Sequence, residues 1–203
     1  MKTEAYTYLK KKDPVIKKII EAVPYPDILS TKNIFHDLIS CVVEQQIHYR
    51  STKNIFKKLL EKAAITSLTT ENFSVFEEKG LSTIKLSDKK YETLSHIIDF
   101  WKDNRVEWEM LSNEEITNKL SKIKGIGTWT IDMILLYTLD RPNIIPIDDF
   151  HLKQIMTNLY KLNPDYKLKS QITNISNNWS PYKSIAVKYL LAYKTFSIKN
   201  PLF

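Results

Sequence analysis

Apolar residues recur three and four positions apart through most of the chain, the spacing of one helix face, and convincing period-two alternation is absent. Val15, Ile16, Ile19, Ile20 and Val23 follow Asp13-Pro14 and stop at Pro24 and Pro26. Aspartate suits an N-cap, and proline suits the first helical position, where its missing N–H has no partner to lose. A second helix is expected over residues 33 to 47, with Ile34, Phe35, Leu38, Ile39, Cys41 and Val42 apolar, and Ile55, Phe56, Leu59 and Leu60 mark a third. Ser87 opens a further helix with Tyr91, Leu94, Ile98 and Trp101 inward. Ser112 and Glu115 form a capping box ahead of a helix carrying Ile116, Leu120 and Ile123 and ending at Gly125. Thr128 is expected to cap the next helix, whose inner face is Ile131, Ile134, Leu135 and Thr138. Phe150, Leu152, Ile155, Met156 and Leu159 continue the pattern beyond Asp149; Leu168, Ile172, Ile175 and Trp179 follow, and Ser180-Pro181 starts the last helix. The pattern predicts an all-α fold.

Two of the three glycines, Gly125 and Gly127, fall in one hairpin between two of these helices. Glycine lets backbone N–H groups face outward with no Cβ in the way, and such a cluster beside a helix N-terminus suits a phosphate oxygen. The net charge of +7 and pI of about 9.2 favour a polyanionic partner without identifying one.

At 203 residues the chain can bury roughly 70% of its unfolded surface and needs neither disulfide nor metal for stability. Its one cysteine, Cys41, sits among apolar positions and reads as a core thiol, which excludes an internal disulfide and any Cys-ligated cluster. His36, His48, His96 and His151 lack metal-ligand spacing, and no nucleotide-cradling loop or catalytic triad is present. Signal-peptide and membrane-span patterns are absent, so a cytoplasmic protein is expected, with no cofactor and no protein partner.

The run Leu120-x-x-Ile123-Lys124-Gly125-Ile126-Gly127, followed by an apolar helix, a proline-containing loop and an aspartate, resembles the helix-hairpin-helix (HhH-GPD) DNA glycosylases. Val43-Glu44-Gln45-Gln46-Ile47, Trp129-Thr130 and Trp179-Ser180-Pro181-Tyr182-Lys183-Ser184 are similar to the 3-methyladenine DNA glycosylase II branch. The likeness runs from about residue 33 to about residue 194. It implies two helical subdomains flanking a cleft for the lesion, residues 1–30 with 131–203 forming one and 31–130 the other. The chain is too short for the N-terminal β-rich domain of larger members.

The same resemblance implies a monofunctional enzyme that hydrolyses the N-glycosidic bond of alkylated purines in double-stranded DNA. Such an enzyme must rotate the nucleotide out of the stack, which requires a grip on the backbone, a plug for the vacancy and a pocket. The grip is the hairpin, Lys124, Gly125, Ile126, Gly127 and Thr128, where the family can hold a monovalent cation. The plug is Gln45, Gln46 and Ile47, with His48, Tyr49, Arg50 and Ser51 beyond. Trp129, Tyr49 and Tyr189 are the pocket candidates. Trp129 stands where lyase-active relatives carry a nucleophilic lysine, which disfavours a bifunctional glycosylase-lyase. The branch's base-stacking tryptophan is replaced by Leu191. The carboxylate that stabilises the oxocarbenium-like sugar is assigned to Asp149, on the register of Asp149-Phe150-His151-Leu152-Lys153, with adjacent Asp148 as the competitor. Either residue also suits a helix N-cap. A damage-binding protein that has lost turnover is the rival from another class, and an intact Asp149 argues against it.

Overall fold

The computed structural model describes residues 2–26, 30–45, 54–103 and 106–197. Among these residues there are α-helices and no strand: α1 (Lys2–Lys12), α2 (Pro14–Ala22), α3 (Ile34–Glu44), α4 (Ile55–Lys62), α5 (Phe73–Lys79), α6 (Asp88–Asp103), α7 (Asn113–Leu120), α8 (Thr128–Met133), α9 (Phe150–Tyr160), α10 (Leu168–Asn177) and α11 (Lys183–Phe196). None is long and apolar enough to cross a membrane.

The chain divides into two compact units, Met1–Ile28 with Asp140–Phe203, and Leu29–Leu139. In the second unit α3 is the central element, buried along most of its length and packed against α4 and α6. Phe35, Phe56, Phe73 and Phe76 meet edge-on or tilted around it. Its polar residues are absorbed internally. His36 Nδ1 accepts the Leu68 N–H at 2.9 Å, and the fully buried Asp37 accepts the hydroxyls of Thr31 and Thr138 at 2.8 and 2.5 Å. Cys41 is buried there too, and desolvation, reinforced by the charges of Asp37 and Glu44, pushes its thiol well above the usual range, as a core thiol requires.

Residues 131–139, grouped from sequence with the terminal segments, pack in this central unit. Helix α8 widens into a π-helical turn, Ile134–Thr138, whose residues are all buried and which packs on α3. Burial of that apolar run outweighs the sequence boundary at residue 130.

In the first unit α11 lies against α2 and α9, and α1 packs on α2. Asp13 organises this unit. Its Oδ1 caps α2 by accepting the N–H groups of Val15 and Ile16, while Oδ2 accepts Trp179 Nε1–H and Tyr160 O–H, each at 2.8 Å. Trp179 is completely buried as a result.

Several element boundaries differ from the sequence pattern. Helix α1 was not visible because only Ala5 and Leu9 are buried on it, too sparse a stripe to register. The helix expected to reach residue 47 ends at Glu44, where Gln45 takes a left-handed φ of 55°. On α6 the buried positions are Thr93, Leu94 and Ile97; Tyr91 is exposed and Ile98 and Trp101 are half-buried, a rotation of the inner face by about one residue. The hairpin's first helix stops at Leu120, with Ile123 held by a turn bond to Leu120 O. Thr128 is the first residue of α8 rather than its cap, and α11 begins at Lys183 rather than at Pro181.

Candidate active site

The hairpin joins α7 to α8. Ile126 is buried and its N–H bonds Ile123 O at 3.0 Å, which pins the turn to the core. The two glycines differ in what demands them. Gly125 has φ +94°, and a Cβ there would run into the Thr93 side chain on α6, so the fold itself requires glycine. Gly127 has φ −99° and ψ 172°, which any residue adopts, and a Cβ there would meet nothing within 4 Å. Gly127 is also the N-cap of α8, so it offers no side chain to the first-turn N–H groups, and no side-chain cap bond forms. That bare helix end carries partial positive charge. Thr128 beside it is exposed and Trp129 is half-buried in the first turn. Lys124 is exposed and its Nζ lies 2.6 Å from Glu92 Oε1 on α6. The Lys124 hydrogen bond, and next its charge, hold the Glu92 carboxyl below the usual glutamate range.

The other unit carries the paired aspartates. Asp149 is the N-cap of α9: it is buried, its Oδ1 accepts the Leu152 N–H at 2.7 Å, and its own N–H bonds Pro146 O at 2.9 Å. Asp148 is half-buried and pairs with Lys169 on α10 at 2.5 Å. In the first turn of α9, His151 Nδ1 meets Lys194 Nζ of α11 at 2.5 Å. Phe150 is two-thirds exposed. Tyr189 is buried against Tyr6 and Tyr25, with ring centroids 6.0 Å away in both pairs. Burial, then the Tyr6 contact, raises its phenol above the usual range. Leu191 is buried as well.

A family model described as HhH-GPD superfamily base excision DNA repair protein matches residues 39–181, which takes in the hairpin, Asp149 and Trp179. The chain belongs to the HhH-GPD superfamily. Among HhH-GPD relatives, DNA-3-methyladenine glycosylase 1 of Schizosaccharomyces pombe is 29% identical over 171 residues, 80% of this chain and 73% of that protein. A putative DNA-3-methyladenine glycosylase of Bacillus subtilis is 25% identical over 167 residues, covering 78% of this chain but 58% of the relative. The solved structure of the S. pombe 3-methyladenine DNA glycosylase Mag1 in complex with abasic DNA superimposes with a TM-score of 0.72 at 26% identity, covering 95% of this chain and 97% of that one. The 3-methyladenine DNA glycosylase of Archaeoglobus fulgidus gives 0.74 at 21% identity, over 96% and 69%. The all-α architecture is therefore the helix-hairpin-helix glycosylase fold.

Within this HhH-GPD chain the sequence motifs are distributed between the two units. Lys124, Gly125, Ile126, Gly127, Thr128, Trp129 and Gln45 belong to Leu29–Leu139; Asp148, Asp149 and Tyr189 belong to the other unit. Gln45 is exposed just past the end of α3. Gln46, Ile47, Tyr49 and their neighbours His48, Arg50 and Ser51 lie outside the described residues. Trp179, part of the motif that suggested the branch, is a core residue held by Asp13. Tyr6 and Tyr25 carry no signal in the sequence, because the α1 stripe that places Tyr6 is weak. The Glu44 carboxylate reaches the first turn of α4, a contact between two helices that a motif match does not signal. Among the described residues no group of three or more His, Cys, Asp or Glu is placed to hold a metal ion. For the monovalent cation expected at the hairpin, Ile123 O, which accepts the Ile126 N–H, is a neutral oxygen of the kind such an ion takes.

Proposed function

We propose that this protein is a monofunctional DNA glycosylase that removes alkylated purines of the 3-methyladenine type from double-stranded DNA, with Asp149 as its catalytic carboxylate. The observation that carries the reading is the contrast between the adjacent aspartates. Asp149 is buried and fixed by the α9 cap, while Asp148 is partly exposed and pairs with Lys169. A carboxylate held rigidly out of water is the group that stabilises a developing cation best, because its charge is unscreened and needs no reorganisation.

In this reading the hairpin takes a phosphate at the open face of Gly127 and the α8 N-terminus, with Lys124 alongside. Ile123 O and its neighbouring hairpin carbonyls would hold a monovalent cation, which would supply positive charge toward that phosphate. Gln46 and Ile47 fill the vacancy in the duplex, and Trp129, half-buried in the first turn of α8, lines the base pocket; Tyr189, buried against Tyr6 and Tyr25, is a core residue of its own unit. The bond from the sugar C1′ to the base nitrogen breaks with its electron pair going to the base. An alkylated base already carries a positive charge, so it leaves as a neutral molecule without a general acid. Asp149 stabilises the sugar cation and orients the water that adds to C1′ as it loses a proton. Support comes from membership of the HhH-GPD superfamily, from relatives named as 3-methyladenine glycosylases, and from Trp129, which cannot form a Schiff base.

Mass spectrometry of bases released from methylated duplex DNA tests the assignment, with free 3-methyladenine expected. The same reaction under borohydride should leave an intact abasic site and no protein–DNA adduct. Methylated DNA from which no base is released excludes the activity, and a trapped adduct restores the lyase alternative.

A further inference from the structure

The chain reaches Asp149 through a loop, residues 140–148, and α11 grips the first half of that loop. Ser184, in the first turn of α11, is buried. Its hydroxyl donates to Arg141 O at 2.5 Å and accepts the Ile144 N–H at 2.9 Å, while its own N–H bonds Pro142 O at 3.1 Å. One turn further along the same face, Lys188 is buried too and donates Nζ to Asp140 Oδ1 at 2.5 Å. Ile144 is itself buried, so an apolar anchor sits beside the polar ones. From there to Asp149 little slack remains. The Ile147 N–H bonds Ile145 O at 2.8 Å, the Asp149 N–H bonds Pro146 O at 2.9 Å, and the proline ring locks φ at Pro146. A displacement at Ile144 is therefore passed to Asp149 along a short, bonded backbone. The α9 cap holds Asp149 Oδ1, and the loop sets the direction from which the Asp149 backbone enters.

We propose that Ser184 is a positioning residue for base excision: by holding Arg141 and Ile144 it sets where the loop delivers the Asp149 carboxylate. The inference rests on the glycosylase reading above, in which Asp149 is the catalytic carboxylate. Ser184 acts through Asp149 and not by contact with the sugar or the base. Serine suits the place because one buried oxygen both donates and accepts there. Alanine would leave the Arg141 carbonyl and the Ile144 N–H without that partner, and a buried amide left unpaired is costly enough to move the loop toward water.

The test uses the full chain and compares single-turnover release of base from methylated duplex with affinity for two modified duplexes. One carries a neutral tetrahydrofuran abasic analogue, and the other a pyrrolidine analogue whose ammonium places positive charge in the sugar ring. A carboxylate aimed at the sugar favours the cationic duplex, so the ratio of the two affinities reports its aim. Ser184→Ala should lose about tenfold or more in rate, since a misplacement of about 1 Å costs that much, and the preference for the cation should shrink with it. Affinity for the neutral duplex, governed by backbone contacts, should change by less than about twofold. Ser184→Cys fills the same space with a weaker donor and acceptor; it should lose less in the same direction, and it is the deciding variant if Ser184→Ala yields no folded protein. Excision by the folded variant at the unsubstituted rate overturns the proposal. So does a lost rate with an undiminished preference for the cation, which marks a general loss of structure. Asp149→Asn measured alongside separates the two claims. If it loses rate and preference while Ser184→Ala keeps both, only the positioning role falls; if it excises at the unsubstituted rate, the catalytic assignment fails and takes the positioning role with it.

Discussion

Asp148 and Asp149 share a side chain and a loop, and what distinguishes them is what each carboxylate is bonded to. The Asp149 carboxylate is used as a helix cap inside the protein, while Asp148 faces Lys169 near solvent. Asn is as good an N-cap as Asp, so Asp149→Asn keeps the Leu152 contact and removes only the charge. Folding and lesion binding should survive, and the single-turnover excision rate should fall by roughly 100-fold or more if the carboxylate stabilises the sugar cation. Asp148→Asn should cost far less, because a half-exposed ion pair contributes little in a high-dielectric setting. Exchange of the two phenotypes would shift the register by one residue, and full activity in both would remove the carboxylate from the mechanism. The sequence already favoured Asp149 through the Asp-x-His register, and the structure adds a physical asymmetry that no string of letters displays.

At the scale of elements, the hairpin holds two glycines for different reasons, and substitution should separate them. Gly125→Ala forces a side chain into a left-handed conformation and against Thr93, a cost of about 1–3 kcal/mol that lowers Tm. A Cβ at Gly127 meets nothing within 4 Å, so Gly127→Val should lower Tm less than Gly125→Ala does, by the loss of a better N-cap alone, while affinity for damaged and undamaged duplex falls alike because a branched side chain blocks approach to the α8 N-terminus. A loss confined to damaged DNA would place Gly127 in the base pocket instead. Asp13 is the corresponding test in the terminal unit. Asp13→Asn cannot satisfy its surroundings in either amide orientation: one sets an NH2 against the Trp179 N–H, the other against the α2 N–H groups. About 2–4 kcal/mol of stability should be lost, read as a drop in Tm. Much of this level was legible in sequence. The Asp13-Pro14 start, the Ser112–Glu115 capping box and the apolar run after Gly127 all rest on local rules, and all are present. The missing parts are those that local rules cannot carry. Trp179 and Glu44 act through partners far along the chain, Asp13 and Phe56. Helix α1 is held by packing on α2 rather than by a strong stripe of its own. Thr128 falls inside the helix rather than at its cap because the N-cap position is taken by a glycine, which has no side chain to signal it.

For the whole molecule the dominant property toward DNA is charge. A net +7 supplies non-specific attraction, but the strength of that attraction depends on how many cations meet phosphates, since each contact releases a condensed counterion. With roughly four to six contacts, log affinity for undamaged duplex should fall with log salt at a slope of about −4 to −5. One of the cations nearest the hairpin, Lys124, is engaged with Glu92 in the protein alone. The Glu92 carboxyl is held below its usual range, so it is ionised throughout the neutral range, and the pair loosens only as pH falls through that lowered value. If Lys124 meets the backbone as proposed, phosphate and Glu92 compete for the same ammonium. Glu92→Gln removes the competitor without touching the hairpin backbone, so affinity should rise a few-fold at low salt and the slope should steepen by about 1 as Lys124 commits to a phosphate. Lys124→Met should flatten the slope by about the same amount. Fluorescence anisotropy across a salt series measures all three proteins. Identical slopes would show that Lys124 does not reach the backbone, and a slope near zero in the unsubstituted protein would remove phosphate contact as the basis of binding altogether.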